Sequence, residues 1–195
     1  MILFATNNAH KLKEVQDILP DYKIVSLKDM NIKVDPEENG TTYEENAFIK
    51  AREIAKFTNL PILADDSGLE IEEMPNDLGL HTARFHPELV QVEKNKLVVK
   101  LLEGKENRKA KFVCCAVLLV NGKEYKYKHE CHGSITHELR GTGGFGYNPI
   151  FLPNGFEQTY AEMDDETKYS ISHRGVAMRK LVELVLKDGV QLWFM

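Results

Sequence analysis

The chain has 195 residues, 43% hydrophobic and 28% charged, which excludes a disordered or fibrous polypeptide and suits one domain at roughly 150 residues apiece. Thirty acidic against twenty-five basic side chains give a formal charge of −5, too acidic for a broad nucleic-acid footprint, although local lysines can still hold a polyanion. No stretch reaches the ~20 apolar residues of a membrane span, and the start from Met1 to Asn7 lacks the basic segment of a secretory signal. Three cysteines, with Cys114 and Cys115 adjacent, are poor disulfide partners, so a reducing, cytoplasmic setting is expected.

Met1 to Ala5 is a short apolar run, read as a strand, that ends in polar Thr6-Asn7-Asn8. Leu12, Val15, Ile18 and Leu19 then recur at helical spacing until Pro20 stops the helix. Tyr22 to Leu27 reads as a second strand, and 35–42 as a loop. Thr42, three residues before Glu45, forms a capping box that opens a helix with Ala47, Ala51, Ile54 and Ala55 on one face and Lys50 beside it. Pro61 introduces a strand, Ile62 to Ala64, expected to end at Asp65-Asp66-Ser67-Gly68. Leu89 to Leu102 has helical spacing, with Gly104 as its stop. Phe112 to Val120 is a run of nine apolar residues, after which Asn121-Gly122 signals a hairpin into a polar strand from Lys123 to about Gly133. Residues 141–146 are glycine-rich, Pro149 to Leu152 reads as a short strand, and Arg174 to Lys187 as a helix. The apolar tail Leu192 to Met195 is expected to pack on the body or on a partner subunit. Helices and strands alternate early and a hairpin dominates later, which predicts an α/β fold with a mixed sheet.

Four stretches carry candidate chemistry. Thr6 to Lys11 lies between a strand and a helix, where outward N–H groups and a lysine suit a phosphate, or where a capped helix start suffices. Asp65 and Asp66 offer hard oxygens of the kind Mg²⁺ takes together with phosphates, or else form a turn. Glu37 and Glu38 are a further ligand source or surface acids. Between Gly141 and Pro149, glycines let the backbone approach a ligand, and Phe145 and Tyr147 offer faces on which a base can stack; a glycine-rich turn is the plainer alternative. Lys168 with Ser172-His173-Arg174 combines a helix cap, a planar fork of donors and an ammonium, or is a surface helix start. Together they describe a site for phosphate, a divalent metal and a flat ring. His129, Cys131 and His132 lack an evident fourth ligand and read as strand residues, and Cys114 and Cys115 read as core thiols.

Thr6-Asn7-Asn8 through Lys11, Ala64-Asp65-Asp66-Ser67-Gly68-Leu69, Gly143-Gly144-Phe145-Gly146-Tyr147 with Pro149, and Ser172-His173-Arg174-Gly175 occur in the order and spacing of a known family. Over nearly the whole chain the sequence resembles the inosine triphosphate pyrophosphatases, or XTP/dITP diphosphatases. The resemblance implies an elongated, two-lobed α/β fold, with a mixed, curved central sheet flanked by helices and a cleft between the lobes. It implies a single catalytic domain over 1–195, usually a homodimer, that uses Mg²⁺ to hydrolyse ITP, dITP or XTP to the monophosphate and pyrophosphate. Carried over by position, Thr6, Asn7, Asn8, Ala9, His10 and Lys11 would hold the triphosphate, with Lys50 as a further phosphate ligand. Asp66 would be metal ligand and proton acceptor, Glu38 a second metal-binding acid, and Ser67 a substrate contact. Phe145, Gly146, Tyr147 and Asn148 would form the base pocket, Lys168 a phosphate or sugar contact, and His173 with Arg174 the readers of the base edge. Two positions depart from the family pattern: Asn148 stands where Asp is usual, and Leu78 where Pro usually precedes the glycine. Neither nucleic acid nor membrane is expected as a partner. The rival readings are a nucleotide sensor without turnover and a pyrophosphatase for another modified nucleotide.

Overall fold

A computed structural model describes residues 1–192. Among them the elements run β1 (Ile2–Phe4), α1 (Ala9–Ile18), β2 (Ile24–Ser26), α2 (Tyr43–Ile54), β3 (Ile62–Ile71), α3 (Gln91–Leu101), β4 (Lys109–Val120), β5 (Lys123–Ile135), β6 (Phe151–Pro153), α4 (Asp165–Ile171) and α5 (His173–Lys187). The strands form one six-stranded sheet in the order β2-β1-β3-β4-β5-β6. Leu3 of β1 lies opposite Val25 of β2 and Ile62 of β3, both parallel, whereas β5 pairs antiparallel with β6, Ser134 opposite Leu152. The fold is therefore α/β with a mixed sheet flanked by helices, as the early alternation and the later hairpin predict. Asn121 and Gly122 take φ of 51° and 73°, the left-handed pair that a two-residue hairpin turn needs.

The chain divides into two compact units. The first gathers Met1–Asp66, Cys114–His129 and the chain from Arg174 onward. Its core sets Leu3, Val25, Ile62, Ala64 and Val117 of the strands against Ala47, Phe48, Ala51 and Ile54 of α2. The spacing of those α2 residues makes one apolar stripe, and Asn46 and Lys50, four apart, border it. The second unit holds Ser67–Val113 and Glu130–His173. Leu69, Ile71, Val98, Leu102, Phe112, Ile135, Phe151 and Tyr160 belong to its core. There the Phe112 ring meets Phe151 edge-on at 4.7 Å and stacks on Tyr160 at 5.4 Å. Full burial of each such side chain stabilises by about 1.5–3 kcal/mol.

Two expectations need correction, and one helix was not foreseen. β3 does not stop at the acids but runs through them to Ile71. Leu69 and Ile71 alternate into the second unit's core, and their burial outweighs the turn preference of Asp, Ser and Gly. The segment expected as a strand from Pro149 starts as a 3₁₀ turn over Asn148–Ile150, leaving only Phe151–Pro153 extended. Before the last helix stands α4, which no apolar periodicity announces; Ser172 ends it, its N–H bonded to the Lys168 carbonyl, and α5 begins at His173. Leu192, at the start of the apolar tail, is buried, and Trp193 to Met195 lie outside the described residues. No described helix is long and apolar enough to cross a membrane.

Candidate active site

In the first unit, the chain turns from β1 into α1 through Thr6, Asn7 and Asn8. Asn8 caps the helix: its Oδ1 accepts the N–H groups of His10 at 3.0 Å and Lys11 at 3.2 Å, and its own N–H donates to Thr6 Oγ1 at 3.1 Å. Asn7, Asn8, Ala9 and His10 are exposed there, so the helix start faces outward with its positive dipole end. Lys11 turns inward, its side chain only 18% exposed, and places Nζ 3.3 Å from Asp65 Oδ1.

Asp65 is the hub of a buried network. Arg174 donates from Nε to Asp65 Oδ2 at 3.1 Å and from Nη1 to Glu14 Oε1 at 2.8 Å. The Cys114 thiol lies 3.7 Å from the same Asp65 oxygen, and Lys50 Nζ bonds to the Asp65 backbone carbonyl. Burial alone would raise the Asp65 pKa, but Lys11, Arg174 and Lys50 outweigh it and hold the carboxyl well below the usual carboxylate range. Burial also lowers the Lys11 pKa and, with Asp65 beside it, raises that of the Cys114 thiol, which therefore stays protonated as an S–H donor.

Asp66 is perturbed the other way. It is 6% exposed, and its Oδ2 accepts from Asn46 Nδ2 at 3.1 Å, while Asn46 Oδ1 accepts the Gly40 N–H at 2.8 Å. Burial pushes the Asp66 carboxyl above its ordinary range; Lys50 opposes this and the like charge of Glu38 adds to it. Glu38 Oε1 in turn lies 2.6 Å from Lys50 Nζ. Neighbours in a strand point to opposite faces, so two adjacent acids have separate surroundings. Asp65 is a locked anion, and Asp66 is a more basic carboxylate able to accept a proton.

Asp66 and Glu38 are also the oxygen donors available to a cation. Among the described residues no group of three or more His, Cys, Asp or Glu could hold a metal by itself. Two carboxylates that repel each other suit a hard ion such as Mg²⁺, which draws its other ligands from water and substrate phosphates. They do not suit a closed zinc site. His129, Cys131 and His132 form no such centre: Cys131 is buried in the core, and His132 Nε2 lies 3.2 Å from Glu130 Oε2.

The second unit holds Ser67, the glycine-rich loop, Lys168 and His173. Ser67 is half-buried on β3. The loop is tied down by Gly143 N–H to Ala161 O at 3.0 Å and by Ala161 N–H to Asn148 O at 3.3 Å. From α3, Asn95 Nδ2 donates to the Gly146 carbonyl at 3.1 Å and is itself aligned by Gln91 at 3.2 Å. Tyr147 is buried, donates to Thr82 O at 3.3 Å, and has its phenol pushed up to about 12 by burial. Phe145 is half-buried beside it. Asn148 and Lys168 are 7% and 3% exposed, and both border Gly144. His173 stacks on Phe112 at 4.6 Å and lies parallel to Tyr160 at 6.0 Å, so its ring belongs to an aromatic stack.

The structure thus gathers Lys11, Lys50, Glu38, Asp66 and Arg174 in one unit, and Phe145 to Asn148, Lys168 and His173 in the other. It gives Arg174, 2% exposed, two carboxylates to hold, where the sequence reading assigns it a base edge. Three residues were not singled out from sequence, Glu14, Asn46 and Asn95, and Cys114, read there as a core thiol, also donates to Asp65. Glu14 had a signal, because an acid between Lys11 and Ile18 falls on the buried face of α1. Asn46 had another, at i−4 from Lys50 on the border of the α2 stripe.

A model of the Ham1 family matches residues 2–184. A relative from Treponema denticola named dITP/XTP pyrophosphatase is 44% identical over 183 residues, covering 91% of this chain and 94% of its own. One of the same name from Aquifex aeolicus is 42% identical over 197 residues, covering 96% of each. Among solved structures, the Staphylococcus aureus Ham1 protein matches with a TM-score of 0.83 at 31% identity, covering 97% of this chain and 99% of its own. A HAM1 protein from Coxiella burnetii matches at 0.84 and 36%, covering 95% and 98%.

Proposed function

The chain belongs to the Ham1 family, and on that premise we propose that it hydrolyses the non-standard purine nucleoside triphosphates ITP, dITP and XTP to the monophosphate and pyrophosphate. The observation that carries this reading is the separate surroundings of the two adjacent acids: Asp65 is bonded by Lys11 and Arg174, whereas Asp66 is bonded by Asn46, and Lys50 reaches from the Asp65 carbonyl to Glu38.

In this reading the exposed start of α1, from Thr6 to His10, receives phosphate oxygens, while Lys11 and Lys50 supply full positive charge. Water attacks the α-phosphorus and gives its proton to Asp66; the bond to the bridging oxygen breaks, and that oxygen leaves with pyrophosphate. The protein's share is positioning and charge neutralisation, with no covalent intermediate. Asp66 and Glu38 would hold Mg²⁺, which when bound would supply neutralisation of phosphate charge and a more acidic water. Asn46 fixes the Asp66 carboxylate, and Lys50 fixes Glu38. Phe145 and Tyr147 provide faces for the base, with Ser67 as a further substrate contact. With Arg174 held by Glu14 and Asp65, the purine 6-keto oxygen falls to Lys168 and to loop N–H groups. Adenine would set its amino donor against those donors, and unpaired buried polar groups can discriminate by as much as ~10⁴-fold. A cytoplasmic homodimer belongs to the same reading, and light scattering on the purified chain tests the dimer.

The test is phosphate release in the presence of added inorganic pyrophosphatase, across ITP, XTP, dITP, GTP, ATP and dUTP, with and without Mg²⁺. Mg²⁺-dependent turnover confined to ITP, XTP and dITP is expected. Preference for dUTP would point to a pyrimidine enzyme, and no release from any would point to a sensor; either overturns the proposal.

A further inference from the structure

We propose that Gly40 and Asn46 are positioning residues that fix the spacing of Glu38 and Asp66 before any cation binds. This rests on the reading of those two acids as ligands of the cation, and it adds what holds them at a set separation. Asn46 is 3% exposed on α2 and uses both ends of its amide: Nδ2 donates to Asp66 Oδ2 at 3.1 Å, and Oδ1 accepts the Gly40 N–H at 2.8 Å. One side chain therefore ties the acid of β3 to the backbone two residues beyond Glu38.

Residues 32–42 form neither helix nor strand, so no ladder of backbone bonds places Glu38. Upstream, Ile32 and Val34 pack against the core of the first unit. Downstream, α2 closes the segment. Thr41 donates to Glu45 Oε2 from its N–H at 2.6 Å and from its hydroxyl at 3.0 Å, and the Glu45 N–H returns a bond to Thr42 Oγ1 at 3.0 Å. Those bonds are exposed and cap the helix; the Gly40 bond goes to a buried amide and through it reaches Asp66. Space there admits only glycine, because a Cβ at 40 would lie 2.7 Å from Glu45 Cβ and 2.8 Å from Asn46 Oδ1. One helical turn beyond Asn46, Lys50 Nζ lies 2.6 Å from Glu38 Oε1. A single face of α2 thus holds both the Glu38 side chain and the chain that follows it.

Mg²⁺ demands near-ideal octahedral geometry, so two carboxylates serve it only at a suitable spacing. Were the segment around Glu38 loose, binding would have to order it, and fixing the backbone of one residue corresponds to about tenfold in affinity. With Gly40 and Asn46 joined, that ordering is complete when the chain folds. Asn46 acts here through Asp66 and through the segment bearing Glu38, and Gly40 contributes only its N–H and its lack of a side chain.

The experiment compares the natural protein, Gly40→Ala, Asn46→Leu and the double variant, each checked for folding by its Tm. Amide hydrogen exchange is read by NMR on chelated protein. Mn²⁺, which shares the oxygen ligands of Mg²⁺, is then titrated in without nucleotide and followed by electron paramagnetic resonance. The Gly40 amide should be protected in the metal-free natural protein and lose that protection in Asn46→Leu. Each single substitution should weaken Mn²⁺ binding about tenfold, and the double variant no more than either alone, because both break one bridge. Should Asn46→Leu fail to fold, Gly40 exchange in the natural protein and the Mn²⁺ affinity of Gly40→Ala still decide. An unprotected Gly40 amide in the metal-free natural protein, unchanged Mn²⁺ affinity in Gly40→Ala, or single effects that add in the double variant overturns the proposal. If these expectations hold but ITP is not turned over, the hydrolase reading fails and this one stands. If ITP is turned over but the natural protein takes up no Mn²⁺, this proposal fails and the hydrolase reading stands.

Discussion

Asp65 and Asp66 share a peptide bond and part company in chemistry. Both were legible in the sequence as acids beside an apolar strand, and the resemblance set Asp66 apart as metal ligand and proton acceptor, but the groups that hold Asp65 were not legible. Those groups are far away in the chain: Lys11 is 54 residues from Asp65 and Arg174 is 109, while Glu14 and Arg174 are 160 apart. Replacing Asp65 by Asn leaves Arg174 and Lys11 buried beside a neutral amide, and loss of one member of a buried pair costs about 3–5 kcal/mol. Urea unfolding at neutral pH should show that loss; a change within 1 kcal/mol would mean that the network is not what holds these groups. The sign of the pH effect also follows. Asp65 ionises more readily folded than unfolded, so its contribution is present above about pH 4 and disappears on acidification below it. Asp66, shifted upward, acts oppositely, its cost growing as pH rises through the carboxylate range. Stability of the natural protein should therefore fall more steeply on acidification below about pH 4 than that of Asp65→Asn.

At the scale of elements, helices with a clear apolar stripe and the Asn121-Gly122 hairpin were readable because local periodicity and turn chemistry suffice for them. α4 was not, being seven residues long with only Lys168 and Tyr169 buried, too short for a stripe, although Asp164 ahead of Thr167 was a cap in plain view. The part played by α3 was equally hidden: its apolar residues were recognised, but Gln91 and Asn95 look like solvent-facing amides until Gly146 is placed against them. Asn95 bonds the loop at the Gly146 carbonyl. Asn95→Ala forfeits a hydrogen bond worth about 1 kcal/mol. It should raise KM for ITP about fivefold and leave kcat within about twofold, because the groups proposed to bind phosphate stand on other elements. A fall confined to kcat would contradict that role.

For the molecule as a whole, the mixed sheet was legible from the alternation of elements, whereas the path of β3 was not. Single-residue turn preferences stopped the strand at Asp65, and only the burial of Leu69 and Ile71 in a second core carries it onward. The metal question also belongs to this scale. Asp66 and Glu38 already have protein partners in Asn46 and Lys50, so a cation is not needed to hold the fold. Chelation should abolish turnover yet shift Tm by no more than about 2 °C; a collapse of Tm would make the metal structural. The most direct test is pyrophosphate release from ITP by Asp66→Asn, which retains an acceptor oxygen for Asn46 and so keeps the fold, verified by an unchanged Tm. Loss of the proposed general base and metal ligand should lower kcat/KM by roughly 10³-fold or more, whereas a folded variant turning over ITP within a few-fold of the natural protein would contradict the role proposed for this carboxylate.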